Sequence, residues 1–280
     1  MRYLIPISLF SLAVILPDFL GQGARRPFWR KPTNKPKPTL LPPISKDPEF
    51  YRKLREEIPP KNETAKKVVT NVFRIQPGGK RQMQLEDVVI VMDGSGSIGQ
   101  CEFGNGKKAM KNLLEYDQPG VDAKYGMVTF SSSFRRDFNF VPQSDAKLRI
   151  AGVTYPGGST NTQAGLADAL DLFNTGSRGF QSRKIVLLLT DGQSNVNPKQ
   201  TIPNAQKLKD KGVEVFVIAV GGQHISGIDE MANIASFPPA KFLFRVEKVS
   251  GFLDVVNLAI KEVAPAQYKI LDKYVSTCSG

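Results

Sequence analysis

From about residue 86 onward the chain alternates short apolar runs with longer stretches in which apolar side chains recur at helical spacing. The apolar runs predict strands near 87–92, 124–131, 184–190, 213–220 and 241–246, and the amphipathic stretches predict helices near 103–116, 162–174, 200–211, 228–236 and 250–262. Two helical stripes stand out, one of Leu166, Ala167, Leu170 and Phe173, the other of Phe252, Val255, Val256, Ala259 and Ile260. Strands that alternate with helices make parallel sheets, so the expected fold is α/β and doubly wound, with a mostly parallel sheet and helices on both faces. Phe134 to Phe140 breaks the pattern, because Arg135, Arg136 and Asp137 interleave with aromatic residues only a few positions after the preceding strand. A connection that tight predicts one antiparallel strand at the sheet edge. No internal repeat is visible.

The first 80 residues read differently. Met1-Arg2 leads into an apolar stretch from Tyr3 to Leu16, and the small residues Gly21, Gly23 and Ala24 precede Arg25-Arg26. This layout predicts a secretory signal peptide over 1–24. The stretch of about 14 apolar residues, interrupted by Pro6 and closed by Pro17, is short of the roughly 20 that a spanning helix needs. No later segment is long and apolar enough to span a membrane.

The formal net charge of +12 is concentrated near the amino terminus. Residues 25–80 hold 15 Lys or Arg against 5 Asp or Glu, whereas residues 81–280 hold 22 against 20. Prolines repeat through Pro27, Pro32, Pro36, Pro38, Pro42-Pro43 and Pro59-Pro60. Proline at this density predicts an extended, solvated linker over 25–80, with one short helix near Glu49 to Glu57. A linker so basic also suits a sulfated polysaccharide, another polyanion or an acidic mineral-associated matrix. Nucleic acid is excluded as a partner by the expected secretion. The remaining divisions are a main domain over 81–264 and a tail over 265–280.

Asn62-Glu63-Thr64 is the sole Asn-x-Ser/Thr sequon, which makes Asn62 a candidate glycosylation site. Cys101 and Cys278 are too few for a zinc shell and suit a disulfide in an oxidising compartment, within one chain or between two.

Candidate chemistry gathers at strand ends. Asp93, Ser95 and Ser97 follow the apolar run Val88 to Met92; Thr160 lies in Gly157-Gly158-Ser159-Thr160; Asp191 follows Ile185 to Leu189. Hydroxyls are neutral ligands and two carboxylates bind directly or through water, a donor set suited to Mg²⁺ or Mn²⁺. Gly94 and Gly96 allow a tight turn between the serines. Taken singly, the serines suit helix caps and Thr160 and Asp191-Gly192 suit turns, but all five in this order favour a metal site.

These residues resemble the von Willebrand factor A domain family, whose metal-ion-dependent adhesion site reads Asp-x-Ser-x-Ser, then Thr, then Asp. The resemblance spans roughly 86–264 and takes in Val88 to Asp93, Tyr125 to Phe130 and Ile185 to Gly192, in the style of matrilin and collagen-associated A domains. It implies hydroxyl ligands from Ser95, Ser97 and Thr160, with Asp93 and Asp191 holding the ion mainly through water. It further implies a secreted, non-catalytic adhesion or extracellular matrix protein whose bound cation receives an Asp or Glu from a matrix protein or receptor. In the family the last helix shifts to alter affinity, which would make Phe252, Val255 and Val256 the moving face.

Two rival readings remain. Gly94-Ser95-Gly96-Ser97-Ile98-Gly99 satisfies the dinucleotide fingerprint of an oxidoreductase, yet the acid roughly 20 residues on, Asp122, falls at the start of the next strand instead of its end. Ser95 or Ser97 with Asp191 and His224 has the order of a hydrolase triad, but neither serine sits in Gly-x-Ser-x-Gly.

Overall fold

The computed structural model describes residues 48–75, 83–223, 225–269, 271 and 278. The expected signal segment, the linker before Pro48 and His224 lie outside the described residues.

Six strands form one sheet: β1 (Gln84–Asp93), β2 (Val121–Phe130), β3 (Phe134–Pro142), β4 (Ser182–Thr190), β5 (Val213–Val220) and β6 (Leu243–Val246), in the order β3-β2-β1-β4-β5-β6. Every pairing is parallel except β2 with β3. β3 is the antiparallel edge strand, and its register against β2 slips twice between Tyr125 and Val128. Strands 1, 4 and 5 are apolar on both faces because both are covered. α3 (Gly99–Leu113), α4 (Gln143–Gly152) and α9 (Val249–Val263) lie on one side, and α5 (Thr162–Gly176), α6 (Thr201–Asp210) and α7 (Ile228–Ile234) on the other. A helical turn, α8 (Pro239–Phe242), delays β6 to Leu243, two residues later than the apolar pattern predicts.

The α9 stripe is buried as expected, with Phe252, Val255, Val256, Ala259 and Ile260 all at 2% exposure or less. The α5 stripe is not the expected one. Leu166, Ala169, Leu172 and Phe173 face the core, while Ala167 is exposed and Leu170 half-buried. Small residues Ala164 and Gly165 let α5 approach β1 and β2 so closely that the buried face turns toward them; a Cβ on Gly165 would lie 2.9 Å from Phe130. α4 buries only Ala146 and Ile150, too little apolar signal to show in the sequence.

The largest departure lies before the sheet. α1 (Pro48–Glu56) is the short helix expected near Glu49 to Glu57, but the extended linker does not hold beyond it, where the chain folds as α2 (Lys61–Lys67) and a π-helical turn at Val68–Val72. The prolines that suggested a linker stop at Pro60, and residues 61–76 contain none. There Val68, Val69, Val72 and Phe73 recur at helical spacing and join the core, and Phe73 packs on Tyr116 with ring centroids 4.9 Å apart. Phe50 and Leu54 pack beside them from α1.

Polar contacts fix this extension to the domain. Arg183 donates to the Val72 carbonyl at 2.7 Å and to Asn71 at 2.9 Å. Arg245, on β6 and 1% exposed, donates to the carbonyls of Leu54, Arg55 and Glu57 at 2.7 to 2.9 Å and also to that of Gly222. Helix carbonyls without intrahelical partners thus find a guanidinium at the end of α1. Arg55 pairs with Asp229 on α7, and Lys61 pairs with Asp254 on α9. The tail expected over 265–280 is likewise partly packed, with α10 (Pro265–Tyr268) against α9 and Leu271 at 5% exposure. Cys278 is joined to Cys101 on α3 within the same chain. Among the described residues no helix is long and apolar enough to cross a membrane.

Candidate metal centre

β1 is flanked by β2 and β4, so the chain leaves it in opposite directions on the two sides and opens a crevice at the carboxyl ends of the strands. Three loops meet there. Asp93 closes β1 with no exposed surface; its Oδ1 accepts from the Ser95 N–H at 2.8 Å and its Oδ2 accepts from the Thr190 hydroxyl at 2.6 Å. The Ser95 and Ser97 hydroxyls lie 3.1 Å apart, and Ser97 donates to Asp191 Oδ1 at 2.9 Å. Asp93, Ser95, Ser97 and Asp191 therefore form one connected run across two loops.

Thr160 arrives from the third loop. Gly96 N–H donates to Gly158 O at 2.7 Å, and Tyr155 donates to Ser95 O at 3.0 Å, which ties that loop to the serine loop. The Thr160 N–H donates to Asn195 Oδ1, and the Asn195 N–H returns a bond to Thr160 O, each at 2.9 Å. The backbone around Thr160 is thus fixed on both sides, while its hydroxyl makes no hydrogen bond among the described residues. Gly94 serves close approach, where the sequence suggested only a tight turn: a Cβ there would stand 2.6 Å from the Pro156 ring.

Electrostatics give the cluster its character. Burial pushes the Asp93 carboxyl up to about 6, against the hydrogen bonds from Thr190 and Ser95, and the Asp191 charge pushes in the same direction as burial. Burial also raises Asp191, opposed by Ser97. Among the described residues neither carboxylate has a Lys or Arg partner. A fully buried carboxylate beside a half-buried one, neither with a counter-charge, is costly unless a cation joins them. The donor set of two carboxylates and three hydroxyls fits a hard divalent ion. Among the described residues no group of three or more His, Cys, Asp or Glu is placed to hold a metal ion, so the hydroxyls must complete this donor set.

Thr190, Tyr155 and Asn195 are the supporting residues that sequence reading missed. Thr190 left one signal, a lone hydroxyl ending an otherwise apolar run directly before Asp191. The other two are recognisable only once the loops are assembled.

A cleft of about 510 Å³ opens beside the cluster, with Ser97 and Asp191 in its wall and the start of α9 opposite. The dinucleotide reading fails on position: Asp122 pairs with Leu85 at the far end of the sheet and accepts from Arg178 at 2.8 Å, remote from the glycine loop. Asn62 is exposed on α2, while Thr64 of the same sequon is buried.

The model of the von Willebrand factor type A domain matches residues 87–257. The human collagen alpha-6(VI) chain is 31% identical over 52% of this chain and 7% of its own length, and human matrilin-1 is 31% identical over 56% of this chain and 32% of its own. Among solved structures, proximal thread matrix protein 1 from the mussel byssus superposes with a TM-score of 0.56 at 26% identity, covering 66% of this chain and 49% of that one. A further structure of that protein has a zinc-occupied MIDAS motif. The chain spans less than half the length of each of these proteins.

Proposed function

The chain belongs to the von Willebrand factor type A domain family, and from that premise we propose that it is a secreted extracellular matrix adhesion protein that grips an acidic group of a partner through a divalent cation. Ser95, Ser97 and Thr160 supply hydroxyl ligands, and Asp93 and Asp191 supply the charge that retains Mg²⁺ or Mn²⁺. When bound, the ion supplies a Lewis-acidic position for an Asp or Glu of a matrix protein or receptor. The observation that carries this reading is the hydrogen-bonded run Asp93, Ser95, Ser97, Asp191, which holds the buried Asp93 and the half-buried Asp191 carboxylates with no basic partner among the described residues. The relatives named above are matrix proteins, which supports the placement and a non-catalytic role. Capture of partners from extracellular extract in Mg²⁺, followed by release in EDTA, tests the proposal; capture unaffected by EDTA defeats it.

Thr190 orients Asp93 from behind. Thr190→Val removes that hydrogen bond while keeping the shape, and is expected to weaken cation affinity by roughly 10- to 100-fold. Mn²⁺ titration followed by electron paramagnetic resonance measures this, and an unchanged Kd removes Thr190 from the site.

Secretion through the signal over 1–24 and glycosylation of Asn62 belong to the same proposal. Thr64 hydrogen-bonds Pro60 from a buried position, so the sugar is attached before α2 settles on the domain. The secreted protein should lose mass on glycosidase treatment and Asn62→Gln should not; equal masses with and without glycosidase reject the assignment. The basic segment before Pro48 adds a second, salt-sensitive attraction for sulfated polysaccharide.

A further inference from the structure

Away from the metal centre, the charge hardest to account for is that of Arg245. It lies 1% exposed in the interior, and its Nη atoms donate only to backbone carbonyls, those of Leu54, Arg55, Glu57 and Gly222. Its Nε has no hydrogen-bond partner among the described residues. No carboxylate among them pairs with the guanidinium, and burial pushes its pKa down unopposed. Carbonyl dipoles offset part of a buried charge, and the remainder calls for an anion.

A cleft of about 240 Å³ has this residue in its wall, between α1, α2 and the run from α8 into β6. Phe50, Leu54, Leu243 and Phe244 make its lining mainly apolar, and its charged groups are Lys53, Lys67 and Arg245 against Glu57 alone. Lys53 is shared with Glu49 at 3.6 Å, whereas Lys67 is half-buried and has no ion pair among the described residues. None of the five metal-centre residues lines the cleft, and α1 and α2 precede the residues 87–257 that match the domain family. At roughly 30 Å³ for each water displaced, the space suits an aliphatic chain of about eight carbons.

We propose that this cleft binds a small anionic amphiphile, with its carboxylate head met by Lys67 and the positive field of Arg245 and its chain laid on Phe50, Leu54 and Phe244. The site works without the cation and gives a ligand to a part of the chain that the adhesion reading leaves unused. A bound carboxylate also supplies the counter-charge that Arg245 lacks, so the ligand stabilises the fold.

The test is calorimetric titration of the full chain with sodium octanoate in EDTA, which keeps the carboxylate from reporting on a metal ion. Octanoate should bind one per chain and raise the melting temperature, while octanol and octylamine bind at least about five-fold more weakly, the loss of one partly exposed ion pair. From butanoate to octanoate, affinity should climb about four-fold per methylene, then level off once the cleft is full. Lys67→Glu should weaken octanoate by about five-fold or more. Ala240→Trp, at an exposed position in the cleft wall, should abolish binding by filling it. The two variants lie on separate elements, so if one melts below the parent the other decides. Absence of saturable binding, equal affinity for octylamine, affinity that keeps climbing to dodecanoate, or full binding in a stable Ala240→Trp chain overturns the site.

Discussion

An Asp93→Ala chain is expected to lose all chelator-sensitive binding, with cation affinity down by at least about 100-fold, while its near-ultraviolet dichroism stays that of the parent. The expectation follows from position. Asp93 has no exposed surface and holds the serine loop through the Ser95 N–H and β4 through Thr190, so its charge sits where the two loops meet. The same burial makes the cation a source of stability. With its folded pKa lifted to about 6, above the unfolded value of about 3.9, the Asp93 carboxyl favours the fold at acidic pH, and that contribution is lost as pH rises through 6. Thermal melts of the cation-free parent should therefore fall between pH 5 and pH 7.5, and Mg²⁺ should recover the loss. Asp93→Ala should show no recovery by Mg²⁺. A variant that still binds its partner only when Mg²⁺ is present would remove Asp93 from the site.

The largest effect on folding is expected at the opposite end of the same strand. Asp87, fully buried on β1, accepts from Ser182 Oγ at 2.6 Å, Ser177 Oγ at 3.0 Å, and Arg178 through its N–H at 2.7 Å and its Nε at 2.8 Å. Burial alone would raise its pKa, but these hydrogen bonds outweigh burial and lower it. Asp87→Ala removes four hydrogen bonds at once and leaves the Arg178 Nε and N–H without their acceptor, although the guanidinium keeps Asp122 and the Glu86 carbonyl, and is expected to cost about 3 kcal/mol in urea unfolding. Because the folded pKa lies below the unfolded one, Asp87 stabilises the parent above about pH 4, and that stabilisation disappears as pH falls through the folded value. The variant should therefore show a weaker acid dependence than the parent. A loss under about 1 kcal/mol would show that Ser177, Arg178 and Ser182 find other partners.

Both carboxylates follow or begin the same apolar run, yet only one was legible as a site. Asp93 is followed within four residues by two serines and two glycines, and this local signature carries its chemistry on its face. Asp87 draws its partners from about 90 residues away, and nothing near it in sequence announces them. The same divide separates the rest. The strands of the sheet and the stripe on α9 were legible because their burial is two-sided or strongly periodic. α4 was missed because it buries two residues, and the α5 stripe was misread because Gly165 and Ala164, weak in hydrophobicity, mark the face that packs most closely. Composition misled most over residues 61–75, where an average over the whole basic, proline-rich segment hid the sixteen proline-free residues from Lys61 to Gln76.

Helix α2 stands against β6, the last strand of the sheet, and Arg245 on that strand holds the end of α1 there, where a free row of backbone donors and acceptors would otherwise be presented. The opposite border, β3, relies on Arg135, Arg136 and two register slips to discourage pairing. The sheet is thereby kept from stacking into cross-β fibres, and shortening the chain to begin at β1 is expected to leave one flank ready to polymerise.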